Sequence, residues 1–303
     1  MTSFVEGLKQ NIQGNVLPDE NLARHTTWRI GGPAEVLVMP VSRQDVLNAI
    51  AVANSYHKEI TVIGNGSNLL VADAGIPGMV LKLAGCLNSY EIRGLRLTAE
   101  SGCRLPGLVQ HSVEAGLAGL EFAAGIPAAL GGALWMNAGA HGCELGDLVE
   151  EVIVCNPNGK IRHYAQAECG FAYRTTRFQS EPGVILAASF KLTRGERAKS
   201  EAIVRANMTR RRQNQPLEYP NAGSVFRNPP GSAAGKLIEL SGGKGLRVGG
   251  AMIAEKHANF IINLGDASAQ DVLDLIAQVQ DLVWAKFQVE LHPEIKLVGF
   301  SRE

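Results

Sequence analysis

The sequence lacks a cysteine framework. Its five cysteines, Cys86, Cys103, Cys143, Cys155 and Cys169, form no C-x-x-C pair and are odd in number. That argues against structural zinc, an iron–sulfur cluster and a disulfide scaffold, so no metal site is expected. Net charge is also missing: 29 Lys+Arg balance 29 Asp+Glu, and no global field selects nucleic acid or an anionic membrane. No run approaches the ~18 apolar residues of a membrane span. The opening MTSFVEGLKQ lacks the basic stretch and apolar block of a signal peptide. A cytoplasmic protein in a reducing compartment is expected, without nucleic acid partner or membrane insertion.

What is present is an ordinary globular composition, 46% hydrophobic and 19% charged over 303 residues. At ~100–200 residues per domain, this length allows two domains or three small ones. Glycine stands out, with 34 residues, many in clusters where backbone can approach something closely. AEVLVMP reads as a buried strand, SRQDVLNAIAVANSYHK as a helix capped by Ser42 with Asp45 three residues on, and EITVI as the next strand, together a β-α-β unit. LVEEVIVCNPNGKIRHY reads as a hairpin turning at Asn158-Gly159, and VILAASF as a further strand. Near Gly195 the texture changes to a polar, basic helix that ends before Pro216. Beyond it come a helix AAGKLIEL, a strand NFIINL, a long amphipathic helix capped by Ser268, and a last strand in PEIKLVGF. Strands and helices in separate runs imply an α+β fold.

Several motifs carry chemistry. GNGSN, Gly64, Asn65, Gly66, Ser67 and Asn68, directly follows a strand. Its glycines can turn successive N–H groups inward as an anion nest suited to a pyrophosphate, or form a turn that binds nothing. It is not the Rossmann fingerprint, because Leu69 replaces the third glycine. GSAAGK is one residue short of a P-loop, and Leu237 stands where Ser or Thr would meet magnesium. The small residues of GIPAALGGALWMNAGAHG permit either a flat ligand or a close helix–sheet contact. In YRTTRF, Arg174 could clamp a carboxylate with its planar fork or make a surface ion pair. Arg210, Arg211 and Arg212 suit a solvated helix end or an anion site. In AGSVFRNPP, Ser224 has no neighbouring histidine or acid to make it a nucleophile.

Taken together, TTWRIGGPAEVLV, GNGSNLLV, GIPAALGGALWMNAGA, YRTTRF, AGSVFRNPP, AEKHANFIIN and HPEIKLVG, in that order, resemble the UDP-N-acetylenolpyruvoylglucosamine reductases of peptidoglycan synthesis. The likeness runs from about Asn21 to Gly299, and the short connection after Tyr173 resembles the family's shorter type. It implies an FAD-binding fold of the PCMH/vanillyl-alcohol-oxidase type with two α+β subdomains plus a smaller C-terminal α+β substrate domain. The expected partition is an N-terminal segment 1–28, an FAD-binding domain 29–195 (about 29–80 and 81–195) and a substrate domain 196–303. It also implies non-covalent FAD, NADPH as co-substrate, a small sugar-nucleotide substrate and a monomer serving cell-wall synthesis and division.

Under that resemblance, Gly64, Asn65, Gly66, Ser67 and Asn68 hold the FAD pyrophosphate, and Gly125, Ile126, Pro127, Ala133 and Asn137 lie along the flavin. Tyr173, Arg212, Arg227 and Asn228 meet the substrate. The family commonly has a lysine where this chain has Asn214, and Arg212 is the expected substitute toward the diphosphate. Arg174, Ser224 and Glu294 are the expected catalytic groups. Hydride addition to the enolpyruvyl C3 leaves carbanion character at C2, spread into the neighbouring carboxylate. Arg174 and a protonated Glu294 would stabilise that charge. Ser224 would protonate C2, acting as an acid, which explains why no base sits beside it. The alternatives are another FAD oxidoreductase, such as a hydroxy-acid or alcohol oxidase, and a non-catalytic nucleotide-binding protein.

Overall fold

The apolar stretch from Val184 becomes a strand, Val184–Lys191, buried along all but its last residue. Such a run has no alternation because the strand is central: a five-stranded antiparallel sheet orders Ile161–Ala165, Val149–Cys155, Val184–Lys191, Arg96–Glu100 and Tyr90–Arg93. The expected hairpin forms, with Asn156 Oδ1 accepting from the Asn158 and Lys160 N–H groups and Gly159 at φ +77°. The structure is a computed structural model and describes residues 2–300.

A second sheet orders Asn15–Asn21, Pro33–Met39, Ile76–Lys82 and Ile60–Ile63. The expected β-α-β segment is present, with helix Arg43–Ser55 between its strands. Its two strands are not neighbours, however, because Ile76–Lys82 lies between them, parallel to Ile60–Ile63. Ser42 caps the helix by accepting from the Asp45 N–H. The Asp45 carboxylate accepts from the N–H groups of Gln13, Gly14 and Val41, so this buried acid ties the N-terminal segment to the helix. A further helix, Thr2–Asn11, has no counterpart in the sequence reading. Phe4 and Leu8, one helical turn apart, and Ile12 just beyond it bury against Val46, Ala49, Ile50 and Ala53.

Packing divides the chain into two units that interleave in sequence: residues 2–18, 36–65 and 78–210, and residues 19–35, 66–77 and 211–300. The expected partition at 28 and 195 is linear in sequence, whereas these packing units are not. The first unit holds the five-stranded sheet and two apolar clusters, one centred on Leu97, Leu130, Val152, Ala188 and Phe190. The second holds a three-stranded antiparallel sheet, Arg247–Val248, Ala251–Ile253 and Ile261–Asn263. It also holds a parallel pair, Leu69–Val71 with Lys296–Val298, and the helix Ala269–Phe287, whose buried Val272, Leu275, Val279 and Val283 recur at helical spacing. Ser268 and Asp271 close a reciprocal capping box at its start. Trp28 is a fully buried anchor of this unit, its indole N–H donating to the Ile261 carbonyl and its own carbonyl accepting from Asn263.

Candidate functional site

In the second unit, four distant motifs are stitched into one piece of backbone. The Val225 N–H donates to the Asn259 carbonyl, while the Asn259 side chain accepts from the Phe226 N–H and donates to the Phe226 carbonyl. At Phe226 the asparagine side chain thus takes the place of a neighbouring strand, accepting and donating as a backbone would. On the other side, Arg227 N–H donates to His292 and Glu294 N–H to Val225, so HPEIK lies against SVFRN. Asn68 completes the set: its amide donates to the Glu294 carbonyl at 3.2 Å and its carbonyl accepts from the Lys296 N–H at 2.9 Å. Ser224 and Glu294 therefore sit on neighbouring segments.

The Ser224 hydroxyl has no hydrogen-bond partner among the described residues, and the residue is half-buried between Gly223 and the buried pair Val225 and Phe226. Arg227 places its Nε in the interior without a protein acceptor. The Lys296 ammonium has its pKa lowered, first by burial and then by the charge of Arg227, with Glu294 acting in the opposite direction. Asn228 is exposed, and its side-chain oxygen accepts from the Ala234 N–H at the start of helix Ala234–Leu240. Arg212 is exposed near the end of helix Arg197–Asn214, with its carbonyl taken by Lys256. Its neighbour Arg211, part of the basic run read as a solvated helix end or an anion site, is half-buried with no acidic partner among the described residues, and burial lowers its pKa.

Part of the glycine loop belongs to the same unit. The N–H groups of Gly66, Ser67 and Asn68 donate to no protein acceptor among the described residues. Gly66 has φ +65°, and a Cβ there would stand 2.3 Å from the His25 carbonyl oxygen and 2.7 Å from Thr26 Cα. Three consecutive unspent donors at a glycine whose surroundings leave no room for a Cβ are the donor set that an anion nest requires.

In the first unit, Gly64 and Asn65 follow the strand Ile60–Ile63, and the Asn65 amide donates to the Pro127 carbonyl at 2.7 Å. Gly125 and Ile126 are half-exposed and Pro127 exposed, so this edge can face a ligand. Ala133 and Asn137 are each 1% exposed, and neither side chain offers a surface to one. The reason is the short helix Leu130–Trp135, whose small residues bring it close to the sheet: a Cβ on Gly131 would lie 2.9 Å from Ser101 Cβ. Asn137 spends its amide on Glu144 and the Ala172 carbonyl and its oxygen on the Gly146 N–H.

Tyr173 and Arg174 form a two-residue turn closed by reciprocal bonds between Ala172 and Thr175, with Arg174 at φ +55°. The guanidinium lies 4.9 Å from the centre of the half-exposed Tyr173 ring. It donates to the carbonyls of Gly139 at 3.1 Å and Asn137 at 3.4 Å, and Glu144 stands 3.8 Å away. Glu144 thus grips both Asn137 and Arg174. Nothing in the sequence around ELGD signals that role.

Comparison with known proteins bears on these groups. Residues 34–165 match the FAD binding domain model, and residues 215–298 match the model of the UDP-N-acetylenolpyruvoylglucosamine reductase C-terminal domain. The UDP-N-acetylenolpyruvoylglucosamine reductase of Heliobacterium modesticaldum is 46% identical over 97% of this chain and 94% of its own. The chain belongs to the UDP-N-acetylenolpyruvoylglucosamine reductase family. The crystal structure of the family member from Thermus caldophilus superposes with a TM-score of 0.81 at 37% identity, covering 95% of this chain and 99% of that one. Berberine bridge enzyme, 18% identical with a TM-score of 0.50, covers 65% of this chain and 44% of its own, and shares the fold alone. The enzyme is an FAD-dependent oxidoreductase with the expected FAD-binding fold joined to the family's C-terminal domain. Its nest at Gly66–Asn68 has the donor set an FAD diphosphate needs. No helix among the described residues is long and apolar enough to cross a membrane, and no cluster of His, Cys, Asp or Glu there could hold a metal.

Proposed function

We propose that this reductase converts UDP-N-acetylglucosamine enolpyruvate to UDP-N-acetylmuramate by the division of labour read from the sequence, with the cofactor on 29–195 and the substrate on 196–303. FAD, when bound, takes a hydride from NADPH and supplies it to C3 of the enolpyruvyl group. The chain's own residues deal with the charge and the proton that follow. Arg174 meets the substrate carboxylate: its fork is delocalised and permanently charged, and two backbone carbonyls and Glu144 fix its direction. Glu294 assists as a hydrogen-bond donor in its protonated form.

Ser224 gives its proton to C2. A hydroxyl is a weak acid in water, but a carbanionic carbon is a far stronger base, so no basic partner is required. The observation that carries this reading is the unspent Ser224 hydroxyl on a segment bonded directly to that of Glu294. Gly66, Ser67 and Asn68, with Gly64 and Asn65, hold the diphosphate of FAD, and Gly125, Ile126 and Pro127 lie along the ring. Ala133 and Asn137 support that edge from inside. Tyr173, Arg227, Asn228 and Arg212 meet the sugar nucleotide. The protein works as a monomer in the cytoplasm. The deciding experiment is anaerobic: NADPH bleaches the flavin bands, and colour returns only on adding the enolpyruvyl sugar nucleotide. Return of colour with oxygen alone, at a comparable rate, would point to an oxidase.

A further inference from the structure

Thr27 is not among the expected site residues, yet it bonds two of the motifs at once. Its N–H donates to the Gly66 carbonyl at 3.1 Å. Its hydroxyl donates to the Asn221 carbonyl at 2.7 Å, and the same oxygen lies 3.3 Å from Gly66 O. A hydroxyl has one proton, so the shorter contact takes it. The main chain of Thr27 thus holds the nest, and its side chain holds the segment that leads to Ser224.

That segment is pinned at Asn221. The Asn221 side-chain oxygen accepts from the Gly223 N–H at 3.0 Å, and its amide donates to the Pro216 and Tyr219 carbonyls. This is an Asx turn, and Gly223 completes it at φ +78°. Ser224 follows at once, with its hydroxyl unspent. A displacement at the Asn221 carbonyl is therefore carried to Ser224 with little slack.

We propose that Thr27 is a positioning residue for Ser224, its hydroxyl locking the proton-donating segment to the phosphate-binding turn so that both move as one body. The proposal rests on the reading of Ser224 as the acid. Proton delivery to carbon is sensitive to placement, and a shift of about 1 Å in a reacting group can cost ~10²-fold. Substrate binding and hydride transfer from NADPH do not use the Ser224 proton.

The test uses the FAD-loaded enzyme and the pair Thr27→Val and Thr27→Ser, the first removing only the hydroxyl from a shape of equal size, the second keeping it. Anaerobic stopped-flow separates the two half-reactions. Thr27→Val should slow reoxidation by the enolpyruvyl sugar nucleotide by ~10–100-fold and enlarge its solvent deuterium isotope effect, with flavin reduction by NADPH within about threefold of the parent. Thr27→Ser should restore the parent rate to within about threefold. Asn221→Ala, which cuts the relay at its other end, should reproduce the Thr27→Val pattern and covers the case in which that variant does not fold. Adding Thr27→Val to Ser224→Ala should produce no further slowing. Equal loss in both half-reactions, failure of serine to rescue, or an additive double variant overturns the proposal. An unchanged reoxidation rate in Ser224→Ala overturns the underlying reading instead.

Discussion

The backbone N–H of Glu294 donates to the carbonyl of Val225 at 2.7 Å. One residue of sequence separates that carbonyl from Ser224, while about seventy separate Ser224 from Glu294. The bond makes Ser224 and Glu294, from different motifs, part of one short piece of backbone.

Ser224→Ala should leave NADPH reduction of the flavin at the parent rate and slow reoxidation by the enolpyruvyl substrate by the ~10²–10⁴ typical of a lost general acid. Rapid-mixing absorbance at the flavin band measures both. Equal slowing of the two halves would remove the proton-donor role.

Arg174→Lys keeps the charge and loses the planar fork, and should lower the reoxidation rate by ~10²-fold with FAD content unchanged. Glu144→Gln retains an acceptor for the Asn137 amide while withdrawing the charge near Arg174. A smaller loss is expected there, of a few-fold, expressed in kcat more than in KM. A Glu144→Gln effect confined to protein stability would deny Glu144 its hold on Arg174.

Two glycines should respond differently to alanine. At Gly66 the new methyl would meet backbone at 2.3 Å and the positive φ would be strained, so Gly66→Ala should be purified without flavin. At Gly223 nothing lies within 4 Å of the new atom, and only the φ of +78° resists. That costs ~1 kcal/mol, so Gly223→Ala should keep its FAD. The 450 nm absorbance per protein decides both.

Acid should weaken the second unit through Asp271. Its pKa is lowered, mainly by the Ser268 N–H and, against the opposing effect of burial, by the Gly250 N–H and the Ser268 hydroxyl. A depressed carboxylate pKa stabilises the fold above the unfolded value, and the benefit is lost as pH falls through the folded one. Asp271→Ala should therefore lower the Tm at pH 7, with a loss of ~0.3–1 kcal/mol for an acid in the first turn, and should flatten the decline of Tm below pH 4. A parallel decline in parent and variant would exclude Asp271 as its source.

Thiol chemistry should single out Cys143, which is exposed. Burial pushes the Cys103 and Cys169 thiols up to about 11, so almost no thiolate exists there at neutral pH. Mass spectrometry after brief alkylation of the native enzyme should find Cys143 modified first. Early labelling of Cys103 would contradict the closed packing around it.

Local signals in the chain were enough to fix many elements. Ser42 and Ser268 announce their helices because an N-cap is a contact between residues three apart. Asn158-Gly159 announces its hairpin for the same kind of reason, and the ordered motifs were enough to identify the family and its flavin chemistry. Tertiary structure alone decided which strands are neighbours, since Ile76–Lys82 enters between two strands that a β-α-β reading would pair. It also decided that Asn137 turns inward, that Glu144 grips Arg174, and that Thr27 bonds Gly66 and reaches Asn221, 194 residues further along the chain than itself. Those contacts depend on which backbone carbonyls are left unpaired once the sheets have formed. No pattern of side chains along a chain encodes that before the chain is folded.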